Sequence, residues 1–459
     1  MPSFAGEFQY LDPSGKRLQG GSCQFSWDAE KLTLAPGTGA ALAFDLGDMD
    51  AFLPGDYELT LALYTGEKIQ LLRFGKAFQN LSSELLDAYR NRLVQCLLLE
   101  DLEELSRFTG FAQLHSPTRR LAGRAEMRLY KSNLAVLPEA ATGFQWRLAD
   151  IDAVQFDATA YGVTLHSAEE RLEVTRLAKR TEEFLSHLQD AVAELNSRSA
   201  QTLRAIFPFL SPDQLQKVAE LMKEGRGAPL AKLKALHPQT EPALFTNAVD
   251  AALKPYFDFL MSRVPPGWLY AGFKLIRPEQ EPAEIPGEQA DAPAGAASEP
   301  AERTIEEAAA KGATEARPDE EPILYWFFFP LAAAGGAAHP ANVVAWEATS
   351  RSGRATYFFR LLPSEQAPKL RDGAKAPGLI DAAIRQLNRA IVLLNFRREP
   401  IYLPDDSLEL QPRFRRYAIA CRKIPELRRL RASFLGRAIH TSPQAWQSEV
   451  DGLLQKAGV

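Results

Sequence analysis

The chain is poor in the residues that carry most recognisable chemistry. Its 459 residues hold three cysteines, Cys23, Cys96 and Cys421, far apart and with no Cys-x-x-Cys pair. That excludes a disulfide framework and a cysteine-based zinc site, and leaves buried, reduced thiols of a cytoplasmic protein as the expectation. Histidine is equally sparse. The six residues at 115, 166, 187, 237, 339 and 440 have no second histidine or cysteine two or four positions away, so no metal site and no cofactor are expected. Gly-x-x-x-x-Gly-Lys-Ser/Thr, His-Glu-x-x-His and Gly-x-Ser-x-Gly are all missing, and Gly37-Thr-Gly39 reads as a hairpin turn rather than a phosphate loop. No catalytic residue set emerges, and a non-enzymatic protein is the expectation. A net charge of −5 excludes a global preference for nucleic acid or membrane. The opening Met-Pro-Ser-Phe-Ala-Gly-Glu-Phe has neither the basic nor the apolar region of a signal peptide. The one long uncharged stretch, Pro322–Trp346, is interrupted by Pro330, Gly335, Gly336, His339, Pro340 and Asn342. It reads as strand, small-residue loop and strand, not as a membrane span.

What the chain does have is a repeat. Leu46-Gly-Asp-Met-Asp-Ala-Phe52 faces Leu148-Ala-Asp-Ile-Asp-Ala-Val154 at an offset of 102. Leu32-Thr-Leu-Ala-Pro36 faces Leu134-Ala-Val-Leu-Pro138, and Tyr57-Glu-Leu-Thr-Leu61 faces Tyr161-Gly-Val-Thr-Leu165. Lys68–Phe74 faces Arg171–Leu177. Each copy alternates apolar and polar residues in short runs, the period of half-buried antiparallel strands. Each then changes to helical spacing, with Leu85, Leu86, Tyr89, Leu93 and Leu97 in one and Phe184, Leu185, Leu188, Val192 and Leu195 in the other.

A run of antiparallel strands closed by one helix, with the Leu-x-Asp-Ile-Asp-Ala-Val segment, resembles the pleckstrin-homology-like (PH-like) domains of bacterial tandem proteins. The resemblance covers residues 1–200. It implies an α+β fold with two tandem PH-like antiparallel β-barrels, each closed by a C-terminal helix, over residues 1–110 and 111–200. Lipid binding in that family uses basic residues around the first hairpin. Copy one offers Lys31 alone and copy two Arg124, Arg128 and Lys131, so headgroup binding is not implied. Asp48/Asp50 and Asp150/Asp152, spaced i, i+2, could bind a cation or act as an acid–base pair, but their duplication points to a fold feature, with the acids facing solvent and Met49 and Ile151 facing inward.

Residues 201–262 read as a helical segment. Ser211-Pro-Asp-Gln214 is a capping box, and a further helix is expected over Glu241–Met261. Residues 263–277 and 322–459 form a C-terminal α+β domain, with strands at Trp268–Ile276, Ile323–Phe329, Val343–Ala348 and Ala355–Leu361, the last two joined by a turn at 350–354. A helix carrying Leu379, Ala383, Leu387, Ile391 and Leu394 follows, and the pattern admits a third, degenerate copy. Residues 278–321, with thirteen acids and three bases, read as a disordered acidic linker.

Residues 411–440 hold nine bases and one acid, Glu426. Arg413, Arg415, Arg416, Arg422, Lys423, Arg428, Arg429, Arg431 and Arg437 are the candidate partner-binding residues. If Pro425–Ala438 is a helix, Leu427, Leu430 and Phe434 face a core and Arg428, Arg429 and Arg431 face outward. The patch can be a solvated face, fold onto the acidic linker, take an acidic protein partner, or meet nucleic acid or anionic lipid. The sequence points first to a cytoplasmic scaffold or adaptor that binds a protein partner, and second to a nucleic-acid- or anionic-surface-binding protein using the basic region. It leaves the oligomeric state and the partner's identity open.

Overall fold

The computed structural model describes residues 2–117, 119–168, 170–276, 322–332, 339–349 and 354–459. The acidic segment 278–321 and most of the turn expected at 350–354 lie outside these residues. The chain forms two compact units, one of Met1–Arg226 with Asp381–Phe434 and one of Gly227–Ile380 with Leu435–Val459.

The first unit contains the repeat. Its first copy runs through β1 (Ser3–Leu11), β2 (Arg17–Trp27), β3 (Lys31–Pro36), β4 (Leu42–Asp45), β5 (Met49–Pro54), β6 (Glu58–Leu63) and β7 (Lys68–Leu72), then helix α1 (Phe78–Cys96). The second runs through β8 (Glu104–His115), β9 (Arg120–Tyr130), β10 (Asn133–Pro138), β11 (Phe144–Arg147), β12 (Ala153–Asp157), β13 (Gly162–Ser167) and β14 (Glu170–Thr175), then helix α2 (Thr181–Ile206). The two sheets have the same order, β4-β3-β2-β1-β7-β6-β5 and β11-β10-β9-β8-β14-β13-β12. In each copy the first strand pairs antiparallel with both the second and the seventh. The likeness reaches the backbone, since the turn residues Tyr57 and Tyr161, Arg73 and Arg176, and Gly75 and Ala178 all take positive φ.

The expected barrels are corrected in one respect. Each sheet is open, with two edge strands (β4 and β5, β11 and β12) that do not pair with each other. The helix fills the gap instead. Leu81, Leu85, Tyr89 and Leu93 of α1 are fully buried, as are the inward strand residues Leu34, Leu61 and Ile69. In the second copy Phe184, Leu188 and Leu195 join one core cluster with Met127, Leu134, Leu165 and Val174. Met49 and Ile151 point inward as expected. Strand β10 departs from the half-buried expectation, because all six of its residues are buried. The first copy's helix lies along the second sheet, with Arg90 beside Glu126 (3.3 Å) and Glu139 (3.3 Å) and Arg128 donating to Asn91 (3.0 Å).

Helix α3 (Pro212–Leu221) starts at the expected capping box, with Gln214 N–H on Ser211 Oγ (3.3 Å) and Ser211 N–H on Gln214 Oε1 (3.1 Å). Later in the chain come α4 (Ala376–Leu393), α5 (Arg415–Lys423) and α6 (Pro425–Ser433). The first unit takes α4 from Asp381 onward, and all of α5 and α6.

The second unit is built on a six-stranded sheet in the order β15-β16-β17-β18-β19-β20. Its strands are Ala228–Pro229, Tyr270–Leu275, Ile323–Pro330, Val344–Ala348, Ala355–Phe359 and Phe434–Ile439. This simple meander differs from the repeat, so the strand–strand–helix echo is not a third copy of that topology. Two helical expectations are also corrected. Glu241–Met261 is two helices, Thr240–Ala248 and Lys254–Ser262, because Val249 is extended and Asp250 accepts from Leu253 N–H (2.7 Å), while Pro255 has no N–H to continue the first. Pro425–Ala438 is helical only to Ser433. There the chain enters β20, where Gly436 sits at φ +154° and a side chain on it would meet Leu453 at 2.5 Å.

Candidate functional site

The duplicated Asp-x-Asp segment forms a short 3-10 turn leading into β5 and into β12. In the first copy Asp45 caps the turn by accepting from Gly47 N–H (2.8 Å) and takes a two-pronged bond from Arg92 of α1 (3.0 and 2.9 Å). Helix α5 then lies on the turn. Asp48 accepts from Arg415 (2.6 Å) and from Arg422 (2.5 Å), and Glu409 pairs with both arginines. Lys423, its side chain 3% exposed, donates to Asp50 (2.9 Å) and to the Met49 carbonyl (2.8 Å). Gly47 permits this approach. A Cβ there would lie 2.7 Å from Cys96 Sγ and 2.9 Å from Ile419 Cδ1 of α5.

In the second copy the partners change. Asp150 takes Arg147, the residue that leads into its own turn (2.9 and 3.1 Å), and Arg389 of α4 (3.3 Å), while Arg389 also donates to Ser167 (2.7 Å). Asp152 meets Arg226 (3.3 Å), and Asn388 of α4 donates to the Gly225 carbonyl (3.0 Å). Burial raises the pKa of Asp150, and the guanidiniums of Arg147 and Arg389 more than offset it, so the carboxyl sits below its ordinary range. Of the acids expected to face solvent, Asp50 and Asp152 do so in part, with side chains 40% and 44% exposed, whereas Asp48 and Asp150 are only 15% and 12% exposed, because helices from later in the chain cover them. No group of three or more metal-ligating side chains occurs among the described residues.

The nine basic candidates differ in what they meet. Arg415, Arg422 and Lys423 hold the first corner. Arg416 pairs with Glu100, and Arg431 with Asp405 (2.6 Å) and the Leu403 carbonyl (2.8 Å). Arg413 reaches Gln411 and lies over the Phe414 ring, and Arg437 sits on β20 with a partner of its own. Arg428 and Arg429 on α6 are exposed, as is Arg413. The acids that balance much of this region are thus in the first repeat, hundreds of positions upstream. The thiols are enclosed, and burial pushes Cys23 and Cys421 up to about 11 and Cys96 to about 12, which keeps them protonated and unreactive at neutral pH.

Sequence reasoning missed two features of the first unit. One is a cleft of about 440 Å³, lined by Asp48, Asp50, Tyr64, Arg119, Thr142, Arg422, Lys423 and Arg428, with a narrower pocket adjoining it at Arg119 and Lys423. The other is the outer edge of β12. Strand β5 has its Phe52 N–H bonded to the Glu139 carbonyl of the second copy (2.8 Å) and ends in Pro54. Strand β12 pairs with β13 alone, and its outer edge is unpaired among the described residues. The registers Pro54↔Leu59 and Phe156↔Val163 place Phe156 where the first copy has Pro54. Phe156 and Tyr161, 40% and 41% exposed, meet edge to face at 6.0 Å, with the Tyr161 hydroxyl 3.4 Å from Glu182 of α2.

The second unit holds one arrangement that resembles a nucleophile–base–acid set. Thr356 donates to Glu347 (2.7 Å), lies 3.0 Å from His440 Nε2 and accepts from Trp446 (3.1 Å), with Tyr256 stacked on the histidine at 4.0 Å. Glu347 and Thr356 are fully buried and the His440 side chain is 3% exposed, so the network is sealed and serves the core.

Among the described residues no helix is long and apolar enough to cross a membrane. No family model matches the chain, and no curated protein matches it. Among solved structures it is similar to one described as "Structure of the Spt16D Pob3N heterodimer", at 20% identity over 36% of this chain and 83% of that chain, with a TM-score of 0.15. A superposition that loose supports no functional inference. What the fold and site define is a class: an α+β protein with a duplicated, open seven-stranded antiparallel sheet, whose paired acidic turns are covered by its own C-terminal helices.

Proposed function

We propose that the chain is a non-enzymatic cytoplasmic scaffold built on two PH-like modules, and that it binds an extended segment of a protein partner by strand addition at β12. The observation that carries this is the free outer edge of β12 beside the exposed Phe156–Tyr161 pair. Alternate residues of an edge strand turn N–H and C=O groups away from their one neighbour, which is the template that strand addition uses. The first copy closes the same edge with Glu139 and Pro54, and among the described residues no backbone group closes that of the second copy. The two aromatic rings then offer an apolar seat for alternate side chains of the added strand.

The rival reading, binding of nucleic acid or an anionic surface through residues 411–440, has fewer free cations to draw on, since Arg415, Arg416, Arg422, Lys423 and Arg431 already have carboxylate partners. The test is affinity purification of the full chain at two salt concentrations, beside Phe156→Pro, which copies the residue the first repeat carries there. Strand addition predicts a stoichiometric protein retained at both salts, lost with Phe156→Pro, and protecting 153–157 from hydrogen exchange. A partner retained equally by Phe156→Pro defeats the edge. Nucleic acid or lipid recovered at low salt alone supports the rival.

A further inference from the structure

The cleft between the two repeats and α6 has a charge pattern that the partner-binding reading does not use. Its two acids are committed: Asp48 to Arg415 and Arg422, and Asp50 to Lys423. Two of its cations are not. Arg119 and Arg428 both line the cleft, and neither guanidinium has a carboxylate within 4 Å or a hydrogen bond among the described residues. Arg119 is half-buried, and its guanidinium is held over the Phe144 ring, 4.6 Å from the centroid. Burial depresses its pKa. Glu426 and Glu170 oppose that from a distance, and the like charge of Arg428 adds to it. A desolvated guanidinium beside a second arginine is costly without an anion.

A second observation points the same way. The adjoining narrow pocket shares Arg119, and its lining includes Trp146 and Arg147, each more than nine-tenths buried. Trp146 Nε1 and Arg147 Nη1 have no hydrogen-bond partner there. Unsatisfied buried donors of this kind are uncommon in native folds. Two donor groups without acceptors thus line the narrow pocket that Arg119 shares, beside the carboxylates of Asp150, Glu170 and Glu426, and they adjoin a cleft whose volume suits a small metabolite rather than a lone ion.

We propose that this cleft binds a phosphoryl group, free or carried by a small molecule, between Arg119 and Arg428. Two guanidinium forks suit the geometry of a phosphate better than that of a spherical anion. Tyr64, 47% exposed, also lines the cleft, so its hydroxyl is at hand for the remainder of a phosphorylated ligand.

The experiment is calorimetric titration of the full chain with inorganic phosphate and with ribose 5-phosphate, against sodium chloride at equal ionic strength. Saturable binding of either probe is expected, with at least tenfold loss in Arg428→Gln and in Arg119→Lys, and none in Arg429→Gln, whose side chain is exposed and outside the cleft. Tighter binding of ribose 5-phosphate assigns the group to a carried phosphate, and equal binding to the free ion. No saturable heat from either probe, or binding unchanged in Arg428→Gln, overturns the proposal. Arg428 is exposed, so a folding defect does not obscure that variant, and unchanged melting temperatures verify this.

Discussion

The two repeats present the same Asp-x-Asp turn to different helices, and one exchanged charge accounts for the difference. At equivalent positions the first copy has Asp45 and the second Arg147. Asp45 makes the first turn more acidic. It engages Arg92 and, at 3.6 Å, Arg415, so the turn attracts the basic helix α5. Arg147 neutralises Asp150 from within its own turn, leaving room for one further arginine, Arg389 of α4. The turn's second position follows suit. Gly47 lets α5 approach closely, whereas Ala149 in the second copy is a buried methyl. Duplication thus supplied two identical corners, and a few side chains gave each its own cover.

The largest effect expected is from removing the acid of each corner. Asp150→Ala leaves Arg147, 7% exposed, without its partner, and should cost about 3 kcal/mol, the range for an uncompensated buried charge. Asp48→Ala should cost about 1 kcal/mol, because Arg415 and Arg422 are about a quarter exposed and keep Glu409 as a second acceptor. Urea unfolding of both variants measures this, and a larger loss in Asp48→Ala breaks the comparison.

Next comes the Gly/Ala position. Gly47→Ala forces a methyl against Cys96 and Ile419, an overpacking cost of about 2 kcal/mol. The reverse change, Ala149→Gly, loses a buried methyl and gains chain entropy in the unfolded state, about 1 kcal/mol. Hydrogen exchange separates local from global effects. Gly47→Ala should speed exchange in 415–423, while Ala149→Gly should leave that helix unchanged.

These contrasts also mark how far the sequence could be read. The repeat was legible because inward residues such as Leu32/Leu134 and Met49/Ile151 sit on local alternation, which a register of two preserves. The paired aspartates were legible as a fold feature for the same reason. What holds them was not, since Asp48 and Arg415 are 367 positions apart and no local pattern encodes that meeting. The basic run 411–440 read as a surface because nine bases and one acid in thirty residues resemble one, and the neutralising carboxylates lie in the first repeat and at Asp405 and Glu409. The openness of β12 is a property of what is missing beside it, which no residue of β12 itself records. Arg119 and Arg428 stand apart in sequence and meet only across the cleft.

Acid distinguishes the second corner more gently. The pKa of Asp150 is lower in the folded chain than the unfolded value of about 3.9. Its contribution is therefore complete above that value and is lost as pH falls through the lower folded one. The stability difference between the wild type and Asp150→Asn should be constant above about pH 5 and shrink below about pH 4. A difference that grows on acidification breaks the assignment of Arg147 and Arg389 as the groups that hold the carboxylate charged.

The smallest effect concerns the two strand edges. Phe156→Pro and Pro54→Phe exchange the residues that distinguish them, and both positions are exposed, so each should shift stability by about 0.5 kcal/mol or less. Their consequences for binding are unequal. Phe156→Pro removes an N–H and an aromatic ring from an edge that is unpaired among the described residues. Pro54→Phe restores both to β5, yet Phe52 N–H there is already bonded to Glu139. The second change should therefore create no new binding, and a chain carrying both changes should bind no better than Phe156→Pro alone. If Pro54→Phe rescued partner capture in that double variant, the edge residue and not the neighbouring repeat would be what keeps β5 closed.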